Sequence, residues 1–148
     1  MFPVYLIHPM IVHFPIVCGV LALVFCLLWL VRDRAGLLTT TVFLQTLGLL
    51  GAIAAYLSGQ EMQEQSEGVP IVDELVHVHE DAAVFAIWVM VAALAGMCLA
   101  LLLSRRDTAH PGTRLWLRWV VSALTMLGAA AVAWTAHVGG IMTWGIPT

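Results

Sequence analysis

Lysine is absent from this 148-residue chain, and charged residues of all kinds make up only 10% of it. With six arginines as its only strong bases and a formal net charge of −3, the chain has no patch suited to nucleic acid. It also lacks the "CxxCH" pattern of covalent haem attachment, the "HExxH" zinc pattern, a glycine-rich nucleotide loop and a recognisable nucleophile triad. The common soluble enzyme classes are therefore not indicated.

Long apolar stretches dominate what is present, since 61% of the residues are hydrophobic. A membrane-spanning helix needs about 20 mostly apolar residues, and four stretches qualify: 9–31, 39–58, 79–103 and 115–138. The first run has no basic segment before it and no small-residue cleavage site, so it is expected to remain as a mature helix. The sequence predicts one all-α domain over 1–148, with four transmembrane helices.

The charges predict how these helices are oriented. The arginines lie in two places, after the first span and around the link between the third and fourth, and short arginine-rich loops stay in the cytoplasm. Seven of the nine acidic residues lie in the opposite connection, around the predicted outer loop 59–78. We therefore expect an up-down bundle with both termini on the outer, periplasmic side. The outer loop, partly helical from Pro70, is either a docking surface or a solvated loop.

Five of the six histidines fall near the outer face of this topology: His8, His13, His77, His79 and His137. Only His110 lies in a cytoplasmic loop. Ionisable side chains within a membrane are costly, and they usually face the bundle interior and mark a function. Imidazole is a common ligand of iron, copper and zinc, so this clustering predicts a cofactor or metal site.

Helical geometry ranks these histidines. His13 lies about one turn inside the first span, whereas His8 lies at its edge. Pro15 cannot bond the carbonyl of Ile11, so the helix is expected to start late or kink beside His13, which would aim that ring inward.

On the third span, His77 and His79 are two residues apart, about 200° around a helix, so only one of them faces the core. His79 is preferred as a ligand because it leads a stripe of small or flexible side chains, while His77 is expected to support the site or face the surface. That stripe comprises Ala83, Ala86, Met90, Ala93 and Met97.

The last span carries a similar stripe below His137, formed by Ala133, Ala130 and Met126. The second span has small residues at helical spacing: Gly48, Gly51, Ala55 and Gly59. Such residues either let backbones approach closely or leave room for a flat cofactor. Cys18, Cys26 and Cys98 lack metal-ligand spacing and are expected to be buried small hydrophobes.

Haem b is the cofactor that this pattern favours, because it takes histidine ligands from two sides and small residues against its plane. His13 and His79 are the first-choice axial pair, from diagonal helices, and His137 is the substitute. Alternatively, His137 joins His8 or His77 on a second haem, so the sequence leaves one haem or two open.

Other interpretations remain. Copper is the main rival, since four methionines also map to the outer side: Met1, Met10, Met62 and Met142. A zinc hydrolase is less favoured because Glu80 and Asp81 lie in no recognised zinc pattern. A cofactor-free structural subunit needs no metal at all, and transport or proton relay is the remaining possibility.

Four stretches, "HPMIVHFPI", "AYLSG", "HED" and "AHVGGIMTWG", resemble the uncharacterised four-helix bacterial membrane family called domain of unknown function 2231. The matching positions are His8, Pro9, His13, Pro15, Gly59, His79, Gly139 and Gly140. The resemblance implies a bacterial cytoplasmic (inner) membrane protein in a redox context, since relatives occur beside or fused to c-type cytochromes. Some relatives carry a further histidine where this sequence has Trp144, so the resemblance does not support a second haem.

Taken together, these patterns predict a membrane cytochrome b-like subunit that relays electrons between quinone and a c-type cytochrome or partner complex. It is expected to be a non-catalytic subunit of a larger oxidoreductase assembly.

Overall fold

A computed structural model describes residues 4–66, 70–106 and 111–144 of the chain, with side chains described for 7–62, 75–104 and 114–144. All five elements in this part are helices: α1 (Val4–Ile11), α2 (His13–Arg32), α3 (Ala35–Ser66), α4 (Pro70–Arg106) and α5 (Pro111–Trp144). Pro70 and Pro111 each begin a helix, the position where a missing backbone N–H removes no helical hydrogen bond.

Four stretches are long and apolar enough to cross a membrane: Ile7–Arg32, Ala35–Met62, Leu75–Ser104 and Arg114–Trp144. The prediction of four such helices is confirmed. In the segment 59–78, expected to be an outer loop that is partly helical from Pro70, α4 does begin at Pro70, and α3 extends further than expected, to Ser66. Glutamine, glutamate and methionine favour helix as strongly as most apolar residues do, so polarity alone did not end α3.

The four long helices pack as a ring. α2 and α4 each contact both α3 and α5, and the short α1 packs mainly on α3 and also touches α2. Among the described residues there is no close backbone approach between α2 and α4 or between α3 and α5. Each of the four long helices therefore contributes side chains to the centre of the bundle.

The core consists of two buried clusters. One contains Cys26, Trp29, Leu38, Ala93, Met97, Ala100, Leu117 and Val121. The other contains Leu49, Ala86, Met90, Ala131 and Val132. Gln45, only 2% exposed, donates from Nε2 to the Met90 carbonyl oxygen at 3.1 Å. The interior is thus closely packed from the middle of the bundle to the connection between α2 and α3.

The connection between α2 and α3 lies at one end of the bundle, which we call the Arg118 end. The Arg118 Nη2 donates to the carbonyl oxygens of Trp29, at 2.9 Å, and Leu30. Its Nη1 lies 3.1 Å from the Asp33 carboxylate, and its guanidinium stands 5.7 Å from the centre of the Trp29 ring. Asp33 has a left-handed backbone, with φ 46°, and its N–H donates to the Trp29 carbonyl. One cation thus joins α5 to the last carbonyls of α2.

The small-residue stripe of α3 has two parts with different surroundings. A Cβ on Gly48 would lie 3.2 Å from Cys18 Cβ, and one on Gly51 would lie 3.0 Å from Phe14 Cβ, so these two positions let α2 approach closely. Ala55 and Gly59 instead line a cavity.

The expectation for the cysteines holds only in part. Cys18 and Cys26 are buried, but Cys98 is exposed on α4. An apolar environment in a membrane exists on both sides of a helix, so an apolar neighbourhood in the sequence does not imply burial.

Candidate functional site

A cavity of about 600 Å³ opens at the end of the bundle opposite Arg118, which we call the cavity end. Residues from all five helices line it. Its volume is within the range of small-molecule and cofactor sites, about 300–1,000 Å³. Many of the lining residues are alanine or glycine, including Ala52, Ala55, Gly59, Ala83, Ala86 and Gly139. Small side chains on three helices keep this space open.

The break between α1 and α2 occurs at Val12, directly before His13. This agrees with the kink expected from Pro15, which offers no N–H to the Ile11 carbonyl. His13 lines the cavity, yet its side chain is exposed, and its Nδ1 lies 2.6 Å from the Pro9 carbonyl oxygen. The kink therefore turns the ring back toward α1 and leaves it at the margin of the cavity.

His8, expected at the edge of the first span, is partly buried and lines the cavity. Its Nδ1 lies 2.8 Å from the Ser58 hydroxyl, and its Cε1 lies 3.2 Å from where a Cβ on Gly59 would be. α1 therefore packs its histidine against the end of the membrane-spanning part of α3.

His79 repeats this arrangement on the other half of the bundle. It is partly buried, lines the same cavity, and its Cε1 lies 3.1 Å from where a Cβ on Gly139 would be. Its Nδ1 is buried and has no hydrogen-bond partner within the described part of the chain. Two imidazoles from different helices, each close to a glycine, thus line one cavity.

The stripe predicted below His79 faces the interior. Ala86, Met90, Ala93 and Met97 are each at most 3% exposed. His77, two residues earlier, is exposed and does not line the cavity. The separation of these two histidines by helical phase is therefore as expected.

The structure does not bring His137 to the cavity. The side chain is exposed, with its ring 5.8 Å from that of Trp134, and the stripe beneath it faces outward as well. His137 and Gly139 are two residues apart and so point about 200° from each other around α5. The buried Ser122 and Thr125 mark the inward face of α5. In a membrane helix, such polar residues distinguish the inward face from the lipid-facing side.

A polar cluster at the rim joins α3 to α4. The Tyr56 hydroxyl donates to Glu80 Oε1 at 3.1 Å, and Gln60 Nε2 donates to the same oxygen at 2.7 Å. All three residues line the cavity. Sequence reasoning did not single out Tyr56 or Ser58, although both belong to the "AYLSG" stretch.

Methionines lie at the cavity in two of the four expected positions. Met62 and Met142 line it, Met10 is 74% exposed, and Met1 lies outside the described residues. Across 7–62, 75–104 and 114–144, no three histidine, cysteine, aspartate or glutamate side chains come together as a metal-binding group.

Comparison with known proteins identifies the family. No curated protein and no solved structure matches the chain. The sequence model of a family described as a predicted membrane protein, DUF2231, matches residues 5–146. Because that match covers nearly the whole chain, the protein belongs to the DUF2231 family of membrane proteins.

Proposed function

We propose that this protein is a cytochrome b-like electron-transfer subunit that binds haem b in the cavity, where His8 and His79 would hold its iron. The observation that carries the proposal is that these two partly buried imidazoles, from α1 and α4, line one cavity. His13, at the margin of the cavity, is the next choice of ligand if His8 does not bind the iron. His137 and His77 are no longer favoured as ligands because their rings are exposed elsewhere.

The residues present fit this group in one further way. The alanine and glycine walls provide volume for a planar group. Haem b, when bound, supplies one-electron exchange, while the burial around it sets its potential.

The chain's own residues would each have a simple task. His8 and His79 hold the iron, Gly59 and Gly139 give the two rings room, and apolar side chains keep the interior dry. Ala86 and Met90 close the cavity toward the middle of the bundle. In this role the protein transfers electrons and catalyses no bond-forming step itself, and it acts as a relay within a larger complex.

The proposal includes an orientation. The arginine-rich connections favour a cytoplasmic position for the Arg118 end. The cavity end and both termini then face the periplasm in an up-down bundle in a bacterial inner membrane. A c-type cytochrome or another redox subunit would exchange electrons there, and quinone would serve as the membrane-side partner.

The test is a reduced-minus-oxidised visible spectrum of the detergent-purified chain. Sharp b-type bands are expected in the wild type, and His79→Ala and His8→Ala should lose them. His77→Ala is the matched control, because this exposed histidine lies two residues from His79 on the same helix. Absence of b-type bands from wild-type protein reconstituted with haem would overturn the proposal, as would bands that survive in the double variant of His8 and His79.

Copper is a second candidate because Met62, Met142 and Glu80 line the cavity together with His8 and His79. Imidazole with thioether sulfur is a copper ligand set, and negative charge at the rim attracts a cation. A flat visible spectrum with stoichiometric copper by metal analysis, lost in Met62→Leu, would favour this function. A chain that binds neither haem nor copper would instead be a structural subunit.

A further inference from the structure

The Ser58 hydroxyl engages two partners at once. Its oxygen lies 3.0 Å from the Ala55 carbonyl oxygen, one turn back along α3, and 2.8 Å from Nδ1 of His8. A hydroxyl has one hydrogen to donate, and a carbonyl oxygen can only accept. Directing that hydrogen to Ala55 avoids two facing lone pairs at 3.0 Å and leaves the hydroxyl oxygen as the acceptor for the ring.

This arrangement determines which nitrogen of His8 carries the proton. Since Ser58 accepts, the His8 Nδ1 must be the donor. A neutral imidazole has a single N–H, so Nε2 keeps its lone pair. The hydrogen bond on one ring nitrogen commonly decides which nitrogen binds a metal.

We infer that Ser58 is a positioning residue that holds His8 in the Nδ1–H tautomer and so prepares Nε2 to coordinate a metal. This inference rests on the proposed cofactor site for its purpose, but the tautomer itself follows from contacts within the chain.

His13 shows the same device with a different acceptor. Its Nδ1 lies 2.6 Å from the Pro9 carbonyl oxygen, which can only accept, so this ring also carries its proton on Nδ1. His79 differs, because its Nδ1 has no partner among the described residues. Hydrogen bonds within the chain thus fix the Nδ1–H form of His8 and His13, and no such bond to Nδ1 fixes His79.

Nitrogen-15 NMR of full-length protein in detergent tests the inference without relying on haem. The protein is labelled at histidine, purified without added haem and studied near pH 8, and the His8 signals are assigned by comparison with His8→Gln. The wild type should show protonated Nδ1 and bare Nε2 at His8. Ser58→Ala should shift His8 toward the Nε2–H form that imidazole favours in water, whereas Ser58→Thr should keep the wild-type pattern.

Ser104→Ala is the matched control. The Ser104 hydroxyl also donates to a carbonyl three residues back, that of Leu101 at 2.8 Å, but it is exposed near the Arg118 end and bonds no histidine. A wild-type His8 with its proton on Nε2 would overturn the inference even if Ser58→Ala failed to fold. An unchanged His8 pattern in folded Ser58→Ala would do the same.

The outcome is separable from that of the proposed function. A Nδ1–H signal at His8 in a protein that takes up no haem would leave this inference standing and remove the haem proposal. If haem binds, Ser58→Ala should need a several-fold higher haem concentration for half occupancy, and Ser58→Thr should not.

Discussion

The two ends of the bundle differ mainly in packing, since each also holds a buried nitrogen without a partner among the described residues, Arg118 Nε at one end and His79 Nδ1 at the other. At the Arg118 end, one guanidinium bonds the carbonyls of Trp29 and Leu30 and pairs with Asp33, and the neighbouring interior is closely packed. At the cavity end, about 600 Å³ stays open, and the buried His79 Nδ1 has no partner among the described residues. The Arg118 end is thus closed by polar contacts and close packing, whereas the cavity end holds open space.

This difference follows from what a bilayer requires. Backbone groups within or near lipid must find partners in the protein, because water is scarce there. The last carbonyls of a helix lack helical partners, and Arg118 supplies them for α2. The buried His79 Nδ1 has no such partner among the described residues.

The largest loss of stability is expected when the side chain of Arg118 is removed. Arg118→Ala leaves the Trp29 and Leu30 carbonyls and the Asp33 carboxylate without this donor, and should lower the free energy of unfolding by about 3 kcal/mol. Unfolding in mixed detergent micelles would measure it. Arg32→Ala, at an exposed site at the same end, should change stability by less than about 0.5 kcal/mol. Equal losses in the two variants would contradict the special role of Arg118.

A smaller loss should follow from separating α2 and α3. A Cβ on Gly51 would meet Phe14 Cβ at 3.0 Å and Pro15 Cδ at 3.1 Å. Gly51→Ala should therefore cost about 1–2 kcal/mol, the overpacking cost less the helix-propensity gain. Gly36→Ala, where the Cβ meets nothing within 4 Å, is the control on the same helix. The same unfolding assay should show no loss for Gly36→Ala, and a stable Gly51→Ala would mean that α2 and α3 approach less closely.

At the cavity end, the same type of substitution should affect binding more than stability. A Cβ on Gly139 would lie 3.1 Å from His79 Cε1, so the ring must shift by a few tenths of an ångström. Because the cavity gives it room, Gly139→Ala should change stability by less than about 1 kcal/mol while reducing haem occupancy measured from the visible spectrum. Gly140→Ala, with open space around the added Cβ, should keep both. Full occupancy in Gly139→Ala would show that the position of His79 is not critical.

The smallest effect is expected midway between the two ends. Gln45→Leu removes the bond to the Met90 carbonyl, and interhelical bonds of this kind contribute about 0.6 kcal/mol in membrane proteins. A thermal unfolding series should place this variant close to the wild type. A loss above about 2 kcal/mol would be far outside that range, and would mean that the centre of the bundle is as dependent on polar contacts as the Arg118 end is.

Much of the fold was accessible from the sequence, because its signals are local. Four apolar runs predicted the four long helices, Pro15 predicted the break at Val12, and helical phase separated His79 from His77. The extent of α3 was missed because a polar composition was taken as a loop. In water that inference often works, but a helix leaving the membrane needs no apolar residues to continue.

The site was less accessible because it depends on contacts between distant residues and on which face of a helix meets lipid. His8 meets Ser58 and Gly59, about 50 residues away, and nothing in its own neighbourhood signals this. His137 sits above alanines and a methionine that face outward, since lipid and core are equally apolar. The inward face of α5 is marked instead by Ser122 and Thr125, both buried.

Cys98 has a practical consequence for experiments. The other two thiols, Cys18 and Cys26, are buried, so the native chain offers one exposed cysteine to a lipid-soluble maleimide. A spin label introduced there, without any engineered residue, would report distances to a paramagnetic centre elsewhere in the bundle. Its depth in a nanodisc would also tell which leaflet lies beside the second half of α4.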